Sequence, residues 1–216
     1  MVMRPSDPRY ITVEGPIGVG KTALAELLAR RLGARAVIEV VEENPFLKEF
    51  YQDMRRYAFQ AQLYFLLSRY RQQLELAQVE LFHQRIVSDY LFARDQIFAN
   101  LVLDDNELGL YEKVHSLLEP RVLKPDLVIY LQADVDTLYR RIGVRGRASE
   151  REISREYLED VVEAFNHFFF HYTETPLLVV NTVEMDFVKR KEDLHALIKQ
   201  IHEMKGGTQY YVPLGS

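Results

Sequence analysis

The sequence predicts an α/β fold, in which a parallel sheet of five strands carries helices on both faces. Short apolar segments alternate along the chain with longer segments of helical periodicity, and the first of them leads through a glycine-rich turn into a helix. The chain has 216 residues, of which 48% are hydrophobic, and this suffices for one core. We therefore predict a single domain over residues 1–216.

The strand and helix predictions follow from periodicity and from glycine and proline positions. The predicted strands are Tyr10–Glu14, Ala36–Val41, Arg85–Asp89, Leu127–Leu131 and Leu177–Val180. The predicted helices are Lys21–Leu32, ending at Gly33, then Ala58–Phe82 with an apolar stripe of Leu63, Leu67, Tyr70, Leu74 and Ala77, and an aromatic helix over 156–172. Ligands of such sheets bind at the carboxyl ends of the strands, where Glu14, Glu39 and Asp89 are expected.

Composition argues against several classes of function. Acidic residues outnumber basic ones by 32 to 27, so the net charge of −5 disfavours nucleic-acid binding. The absence of cysteine excludes disulfides, thiolate metal sites and cysteine nucleophiles. No apolar run is long enough to span a membrane and the N-terminus has no apolar secretion signal, so we predict a cytoplasmic protein without membrane contact.

One motif indicates a nucleoside-triphosphate site of the P-loop NTPase type. Residues 15–22 read GPIGVGKT and match G-x-x-x-x-G-K-[ST] between a predicted strand and a predicted helix. Lys21 is expected to reach the β and γ phosphates and Thr22 to hold Mg²⁺. Backbone N–H groups and the helix N-terminus are expected to bind the phosphates, through Gly15, Ile17, Gly18, Val19 and Gly20.

A cluster of arginines predicts a lid over the phosphates at about residues 140–155. The cluster comprises Arg140, Arg141, Arg145, Arg147, Arg151 and Arg155, with Gly143 and Gly146 as candidate hinges. Phosphoryl transfer depends on positioning and charge neutralisation, which arginines supply. The interleaved Glu150, Glu152 and Glu156 leave a salt-bridged surface helix as the alternative.

Further segments resemble the deoxynucleoside kinase family, which includes thymidine and deoxycytidine kinases and bacterial deoxyadenosine and deoxyguanosine kinases. The resemblance covers nearly the whole chain. It is carried by GPIGVGKT, Glu39–Leu47, Phe50-Tyr51, Phe59–Gln62 with Leu67–Arg69, Pro125–Leu127 and Arg145–Arg147. It implies a kinase domain that uses ATP and Mg²⁺ to phosphorylate the 5′-hydroxyl of a deoxynucleoside.

The resemblance also implies roles for individual residues. Glu39 matches the general base that accepts the proton of the 5′-hydroxyl, with Glu42 as the alternative base. Arg145 and Arg147 match the lid arginines that clamp the donor phosphates. Residues implied in nucleoside binding are Tyr51 and Glu150 for the 3′-hydroxyl and Gln62 and Arg69 for the base. Surface or core roles remain open for Tyr51, Gln62 and Arg69.

One departure from the family concerns the end of the third predicted strand. The family has Glu-Arg-Ser or Asp-Arg-Ser there, whereas this chain has Ser88-Asp89-Tyr90. We expect Asp89 to take the metal role, and Arg94 or the lid to supply the missing positive charge. Arg94 aligns with a base-selecting acid of other members, so the departure leaves the base preference open.

The leading hypothesis is a salvage deoxynucleoside kinase that favours deoxyadenosine or another purine. The family resemblance further implies a homodimer through the aromatic-rich helices over 58–82 and 156–172. The first alternative is a nucleoside monophosphate kinase of thymidylate type, which would need an extra anion site. The second is a nucleotide-binding protein without catalysis, which the change at Ser88-Asp89-Tyr90 keeps open.

Overall fold

Six parallel strands form the centre of the computed structural model, which describes residues 8–39, 41–80, 85–147 and 150–213. The spatial order is β2-β3-β1-β4-β5-β6. The strands are β1 Tyr10–Glu14, β2 Arg35–Val37, β3 Ile86–Ser88, β4 Leu127–Gln132, β5 Leu177–Asn181 and β6 Thr208–Tyr211. The helices are α1 Lys21–Leu32, α2 Leu47–Gln52, α3 Met54–Glu80, α4 Arg94–Val102, α5 Asp105–Leu118, α6 Val135–Arg145, α7 Arg155–Phe170 and α8 Lys191–Glu203.

The centre of the sheet is its most apolar part. Every residue of β1 and the first five residues of β4 are buried, and their registers pair Ile11 with Leu127 and Glu14 with Tyr130. Strands covered by helices on both faces become continuous apolar runs, as expected of a parallel sheet. Only Thr12 and Glu14 interrupt the apolar sequence of β1, and Glu14 ends the strand at the edge where ligands bind.

The α/β class is confirmed, but the predicted number of five strands is wrong by one. The sixth strand, β6, lies beside β5 at the edge of the sheet and is half exposed. Gly206 and Gly207 precede it with φ of 103° and 66°, which turns the chain back after α8. Because this edge strand faces solvent, its Thr-Gln-Tyr-Tyr sequence carries no apolar signal beyond Tyr210 and Tyr211.

The second strand is shorter than predicted. It ends at Val37, and a 3₁₀ turn begins at Val41, whereas the apolar pattern predicts a strand from Ala36 to Val41. Val40 lies outside the described residues. The backbone N–H of Glu39 donates to the Asp89 carboxylate at 2.9 Å instead of a strand partner, so the chain leaves the sheet here. This departure places Glu39 above the sheet edge.

The long helix α3 starts at Met54, four residues earlier than predicted, and its predicted end at Phe82 lies outside the described residues. The predicted stripe is not the buried face, because Leu67 and Leu74 are exposed and Leu63 and Tyr70 are half-buried. The side chain of Ala77 is also outside the described part. The buried face instead mixes apolar and polar side chains, namely Ala58, Ala61, Gln62, Leu66, Arg69, Gln73 and Leu76.

The predicted lid is partly a continuous helix. Helix α6 runs to Arg145, so Gly143 lies inside it and is not the hinge expected from the sequence. Gly146 ends the helix in the left-handed region, with φ 66°. Residues 148–149 lie outside the described residues. Helix α7 follows at Arg155, one residue before the predicted start, and ends at Phe170 rather than at residue 172.

None of the helices in the described ranges is long and apolar enough to cross a membrane.

Candidate active site

A cleft of about 480 Å³ opens at the carboxyl ends of β1 and β3. Most of the site residues predicted from the sequence line it. Gly15 and Val19 do not, nor do Glu14 and the arginines Arg140, Arg151 and Arg155 of the predicted lid, and the side chain of the alternative base Glu42 lies outside the described part. The predicted residues that line the cleft are Ile17, Gly18, Gly20, Lys21, Thr22, Glu39, Tyr51, Gln62, Arg69, Asp89, Arg94, Arg145, Arg147 and Glu150. The fold therefore brings together residues from distant parts of the chain.

The phosphate loop packs closely against the strand and helix behind it. Gly15 and Gly18 have φ of 148° and 84°, and side chains are rarely found in either conformation. A Cβ on Gly15 would lie 2.5 Å from the carbonyl oxygen of Leu131, and one on Gly18 would lie 2.7 Å from Cγ1 of Ile142. Val19 is buried under the loop. Glycine is thus required for the close approach and for exposing the loop's N–H groups.

Lys21 lies at the start of α1 and is folded back over the loop. Its Nζ donates to the carbonyl oxygens of Gly15 at 2.7 Å and Pro16 at 3.0 Å. Burial lowers the pKa of Lys21 to about 8, and the positive charge of Arg94 acts in the same direction. Both hydrogen bonds are to neutral acceptors, so phosphate oxygens arriving in the loop would be stronger partners for this amine.

Thr22 and Asp89 form the candidate metal site. The Thr22 hydroxyl donates to Oδ2 of Asp89 at 2.6 Å, while Oδ1 of the same carboxylate accepts the Glu39 N–H. Hydroxyl and carboxylate oxygens suit Mg²⁺, which usually binds one or two carboxylates together with substrate phosphates. The described ranges hold no cluster of three or more histidine or acidic side chains able to bind a metal. The donor set therefore fits a Mg²⁺ ion that also takes oxygens from a bound phosphate.

Glu39 lies between two arginines. Its Oε1 pairs with Arg69, and its Oε2 accepts from Nη2 of Arg94 at 2.9 Å. Burial alone would raise the pKa of Glu39, but the guanidinium groups of Arg69 and Arg94 outweigh it, so that the pKa is lowered. The carboxylate is thus ionised at neutral pH and faces the cleft.

Each of these arginines also contacts a second, outer carboxylate. Arg69 pairs with Oδ1 of Asp95, and Nη1 of Arg94 lies 3.7 Å from Oε1 of Glu14. The result is an alternating series, Glu14–Arg94–Glu39–Arg69–Asp95, which we call the charge chain. All its members are buried or nearly so. Buried charges are tolerated when they are paired in this way.

Sequence reasoning missed the two ends of the charge chain. The sequence places Glu14 at the end of a strand but indicates no role for it, and it indicates none for Asp95. Both have wholly buried side chains. A signal for Asp95 did exist, because it follows Arg94 in the first turn of α4, where a carboxylate is favourable.

Tyr51 and Glu150 lie close to each other in the cleft. Burial raises the pKa of the Tyr51 phenol, and the nearby negative charge of Glu150 raises it further, so the phenol stays neutral. Glu150 accepts from Nε of Arg145 at 3.1 Å and from Nη2 at 2.5 Å, and Arg147 lies 3.8 Å away. The lid arginines therefore contact the Glu150 carboxylate in this structure.

Arg141 belongs to the predicted arginine cluster, but it is bonded to backbone carbonyl groups and not to the Glu150 carboxylate. It donates to the carbonyl oxygens of Val19 at 3.3 Å, Thr182 at 2.7 Å and Met185 at 3.2 Å. These bonds tie α6 to the phosphate loop and to the segment after β5. Arg141 thus supports the phosphate loop by a bond to the backbone of Val19, whereas Arg145 and Arg147 contact Glu150.

Comparison with known proteins agrees with this geometry. The family model of the deoxynucleoside kinases matches residues 11–205. The chain is 35% identical to a deoxyguanosine kinase of Bacillus subtilis (strain 168), over 90% of this chain and 97% of that protein. It is 32% identical to the deoxyadenosine/deoxycytidine kinase of the same organism, over 88% of this chain and 90% of that protein.

A solved structure is similar over the same extent. The deoxyadenosine kinase of M. mycoides with the products dCMP and a flexible dCDP bound superimposes with a TM-score of 0.79. It is 26% identical, and the match covers 90% of this chain and 100% of that one. These matches confirm the predicted fold, phosphotransferase activity and ATP-dependent phosphorylation of deoxynucleosides, and the chain belongs to the deoxynucleoside kinase family.

Proposed function

We propose that the chain transfers the γ-phosphate of ATP to the 5′-hydroxyl of a purine deoxynucleoside, with Glu39 as the general base. One observation carries this assignment: an ionised carboxylate held by two arginines lines the same cleft as the phosphate loop. A protein that only bound nucleotides would need the loop but not this carboxylate. A nucleoside monophosphate kinase would need an additional anion site for the acceptor phosphate.

The donor half of the mechanism uses the loop and the lid. Backbone N–H groups of the loop bind the β and γ phosphates, and Lys21 exchanges its carbonyl partners for phosphate oxygens. Arg145 and Arg147 line the cleft and neutralise the charge that develops on the transferred group. Thr22 and Asp89 would hold Mg²⁺. When bound, the ion would neutralise charge on the β and γ oxygens.

The acceptor half uses Glu39. As the 5′-oxygen forms its bond to the γ-phosphorus, its proton passes to Glu39, and the bond between that phosphorus and the bridging oxygen breaks to release ADP. Arg69 and Arg94 keep Glu39 ionised and fix its two oxygens. They also make it a weak base, which is sufficient where the transition state is loose and the hydroxyl loses its proton late.

Support for a purine acceptor comes from the pocket and from the relatives. Gln62 is buried on α3 and offers both a donor and an acceptor, as the edge of adenine requires. Tyr51 and Glu150 line the same cleft, and a phenol and a carboxylate are suitable partners for the 3′-hydroxyl of the sugar that we assign to them. The curated relatives at 35% and 32% identity are named for deoxyguanosine and for deoxyadenosine/deoxycytidine, so we expect deoxyadenosine or another purine to be favoured.

The test is a panel of four deoxynucleosides and four deoxynucleoside monophosphates with ATP and Mg²⁺, run on wild type and Glu39→Gln. We expect turnover of a purine deoxynucleoside and a loss in kcat of about 10²–10⁴-fold in Glu39→Gln. Glu42→Gln tests the alternative base, and Glu43→Gln, at an exposed position of the same turn, is the matched control. Turnover of monophosphates alone, or ATP binding without any turnover, would contradict the proposal.

We also propose a homodimer and a cytoplasmic location. Leu67 and Leu74 on α3, and Phe170 at the end of α7, are exposed apolar side chains on the two helices predicted to pair. Sedimentation analysis of wild type and of Leu67→Glu/Leu74→Glu checks the dimer, since the charged variant should be monomeric. A wild-type monomer at micromolar concentration would overturn it.

A further inference from the structure

Glu14 joins two loops of the active site through one carboxylate. It is the last residue of β1 and its side chain is wholly buried. Its Oε2 accepts the N–H of Gly15, the first residue of the phosphate loop, at 2.9 Å. Its Oε1 accepts the N–H of Leu91, in the segment between β3 and α4, at 2.7 Å. Asp89 and Arg94 flank that segment, so Glu14 sets the position of the donor loop relative to both.

The same carboxylate also contacts Arg94. Oε1 of Glu14 lies 3.7 Å from Nη1, while Nη2 of that guanidinium donates to Glu39 at 2.9 Å. Arg94 therefore lies between the two carboxylates, hydrogen-bonded to Glu39 and in a longer ion pair with Glu14. Burial raises the pKa of Glu14, against the opposing effects of Arg94, Lys21 and the two N–H donors.

We propose that Glu14 is a positioning residue for phosphoryl transfer, which fixes the phosphate loop against the β3–α4 segment and holds Arg94 in place at Glu39. This inference rests on the roles proposed above for Glu39 and Arg94. Displacements of about 1 Å in a reacting geometry can cost about 10²-fold in rate, so a residue that never touches substrate can still set kcat.

The carboxylate is needed because all its neighbours are donors. Two backbone N–H groups donate to Glu14, and the Arg94 guanidinium lies 3.7 Å away in an ion pair. A glutamine in its place would turn its own NH₂ group towards at least one of these donors, and its oxygen could not serve both loops. Glu14→Gln therefore keeps the size of the side chain while it breaks the link between the phosphate loop and the β3–α4 segment.

Glu14→Gln is compared with Thr12→Val. Thr12 lies two residues earlier on β1, is equally buried and hydrogen-bonds to Ser88 of β3 at 2.9 Å, but it is not part of the charge chain. We expect Glu14→Gln to lower kcat by about 10–100-fold with both KM values changed less than about threefold. Thr12→Val should keep kcat within about threefold. Circular dichroism and thermal unfolding check that both variants fold.

A double-mutant cycle of Glu14 and Arg94, measured on kcat, distinguishes a positioning role of Glu14 from a general structural one. We expect Arg94→Lys to lower kcat by about tenfold or more in wild type, but by less than about threefold in the Glu14→Gln background, where the guanidinium is already displaced. Additive losses would overturn the inference. If Glu14→Gln does not fold, the cycle is run with Glu14→Asp, which keeps the charge and shortens the reach.

The remaining outcomes distinguish this inference from the proposed function. If Arg94→Lys lowers kcat but Glu14→Gln lowers it no more than Thr12→Val does, the role of Glu14 is overturned and the role of Arg94 stands. If Arg94→Lys has wild-type kcat, the role proposed for Arg94 is wrong and the role of Glu14 falls with it. If Glu39→Gln and Arg94→Lys are both fully active, the proposed mechanism itself is wrong.

Discussion

The cations at the two ends of the cleft are held in different ways. At the donor end, Lys21 donates to two neutral carbonyl oxygens, and the Arg145 side chain is 34% exposed while it pairs with Glu150. At the acceptor end, the side chains of Arg69 and Arg94 are 2% and 10% exposed, and each lies between two carboxylates. The donor cations can change partners, whereas the acceptor cations are fixed.

This difference follows from the environment of each charge. An exposed ion pair contributes at most about 1 kcal/mol, because water replaces the partner when the pair separates. Removing one partner of a buried pair leaves an uncompensated charge and costs about 3–5 kcal/mol. We therefore expect Arg145 and Arg147, whose side chains are 34% and 31% exposed, to move to a phosphate more easily than Arg69 and Arg94 can leave Glu39, although the buried Glu150 loses its partners in that step.

The largest effect is expected from removing the two lid arginines, Arg145 and Arg147. The double variant Arg145→Gln/Arg147→Gln should lower kcat by about 10³-fold, because arginines that neutralise the transferred phosphoryl group contribute about that much. Because both arginines also pair with the buried Glu150, the free energy of unfolding of the double variant, measured with urea, should fall by about 1–3 kcal/mol. Arg155→Gln, which removes an exposed arginine paired with Asp136 and Glu159, is the control and should retain full activity. A double variant as active as this control would contradict the lid assignment.

The next largest effect is expected at the acceptor end of the cleft and is measured as a change in the free energy of unfolding. Asp95→Asn removes one of the two carboxylates that hold Arg69 but leaves Glu39 as its partner, so we expect the free energy of unfolding to fall by about 1–3 kcal/mol. Glu174→Gln breaks the exposed pair with Lys124 and should change it by less than about 1 kcal/mol. Equal urea midpoints for the two variants would show that the acceptor cations are not fixed by burial.

A smaller effect is expected in the phosphate loop. Gly18→Ala places a Cβ 2.7 Å from Ile142 at a φ of 84°, so the loop has to shift and the KM for ATP should rise about tenfold. Gly33→Ala also lies at positive φ, 63°, but has open space around it at the far end of α1. It should cost about 1 kcal/mol of stability without any change in the KM for ATP. Initial-rate kinetics on both variants distinguish loop geometry from general strain.

The smallest effect is a pH dependence at Lys21. Its pKa of about 8 means that the amine is charged below pH 8 and becomes neutral above it, so it binds phosphate less well as the pH rises. We expect kcat/KM for ATP to fall several-fold between pH 7 and pH 9, since this parameter reports the free enzyme. Lys21→Arg stays charged throughout and should give a flatter profile. A wild-type profile that is flat up to pH 9 would be inconsistent with a lowered pKa.

The donor site could be predicted almost completely from the sequence. The loop is contiguous, its glycines occupy the positions that need positive φ, and α1 runs from Lys21 to Leu32 as predicted, ending at Gly33. All of this depends on interactions between residues close in sequence. The lid remains a prediction, and the segment differs in detail from the expectation, since Gly143 is helical and Arg141 is held by the carbonyl oxygens of Val19, Thr182 and Met185.

The acceptor site could be predicted only as a set of residues. The sequence gives no sign that Arg94, aligned with a base-selecting acid, reaches Glu39, a residue 55 positions away. It does not indicate that Glu14 and Asp95 complete the charge chain, or that β2 ends early so that Glu39 can meet Asp89.

The sequence by itself therefore determined the α/β class, the phosphate loop and the kind of chemistry, because local backbone conformation and short spacings encode them. The tertiary structure alone decided which charges pair and which strand forms the sheet edge. Charge pairing depends on distances in space and on exclusion of water, and both exist only once helices α3 and α4 have packed over the ends of β1 and β3.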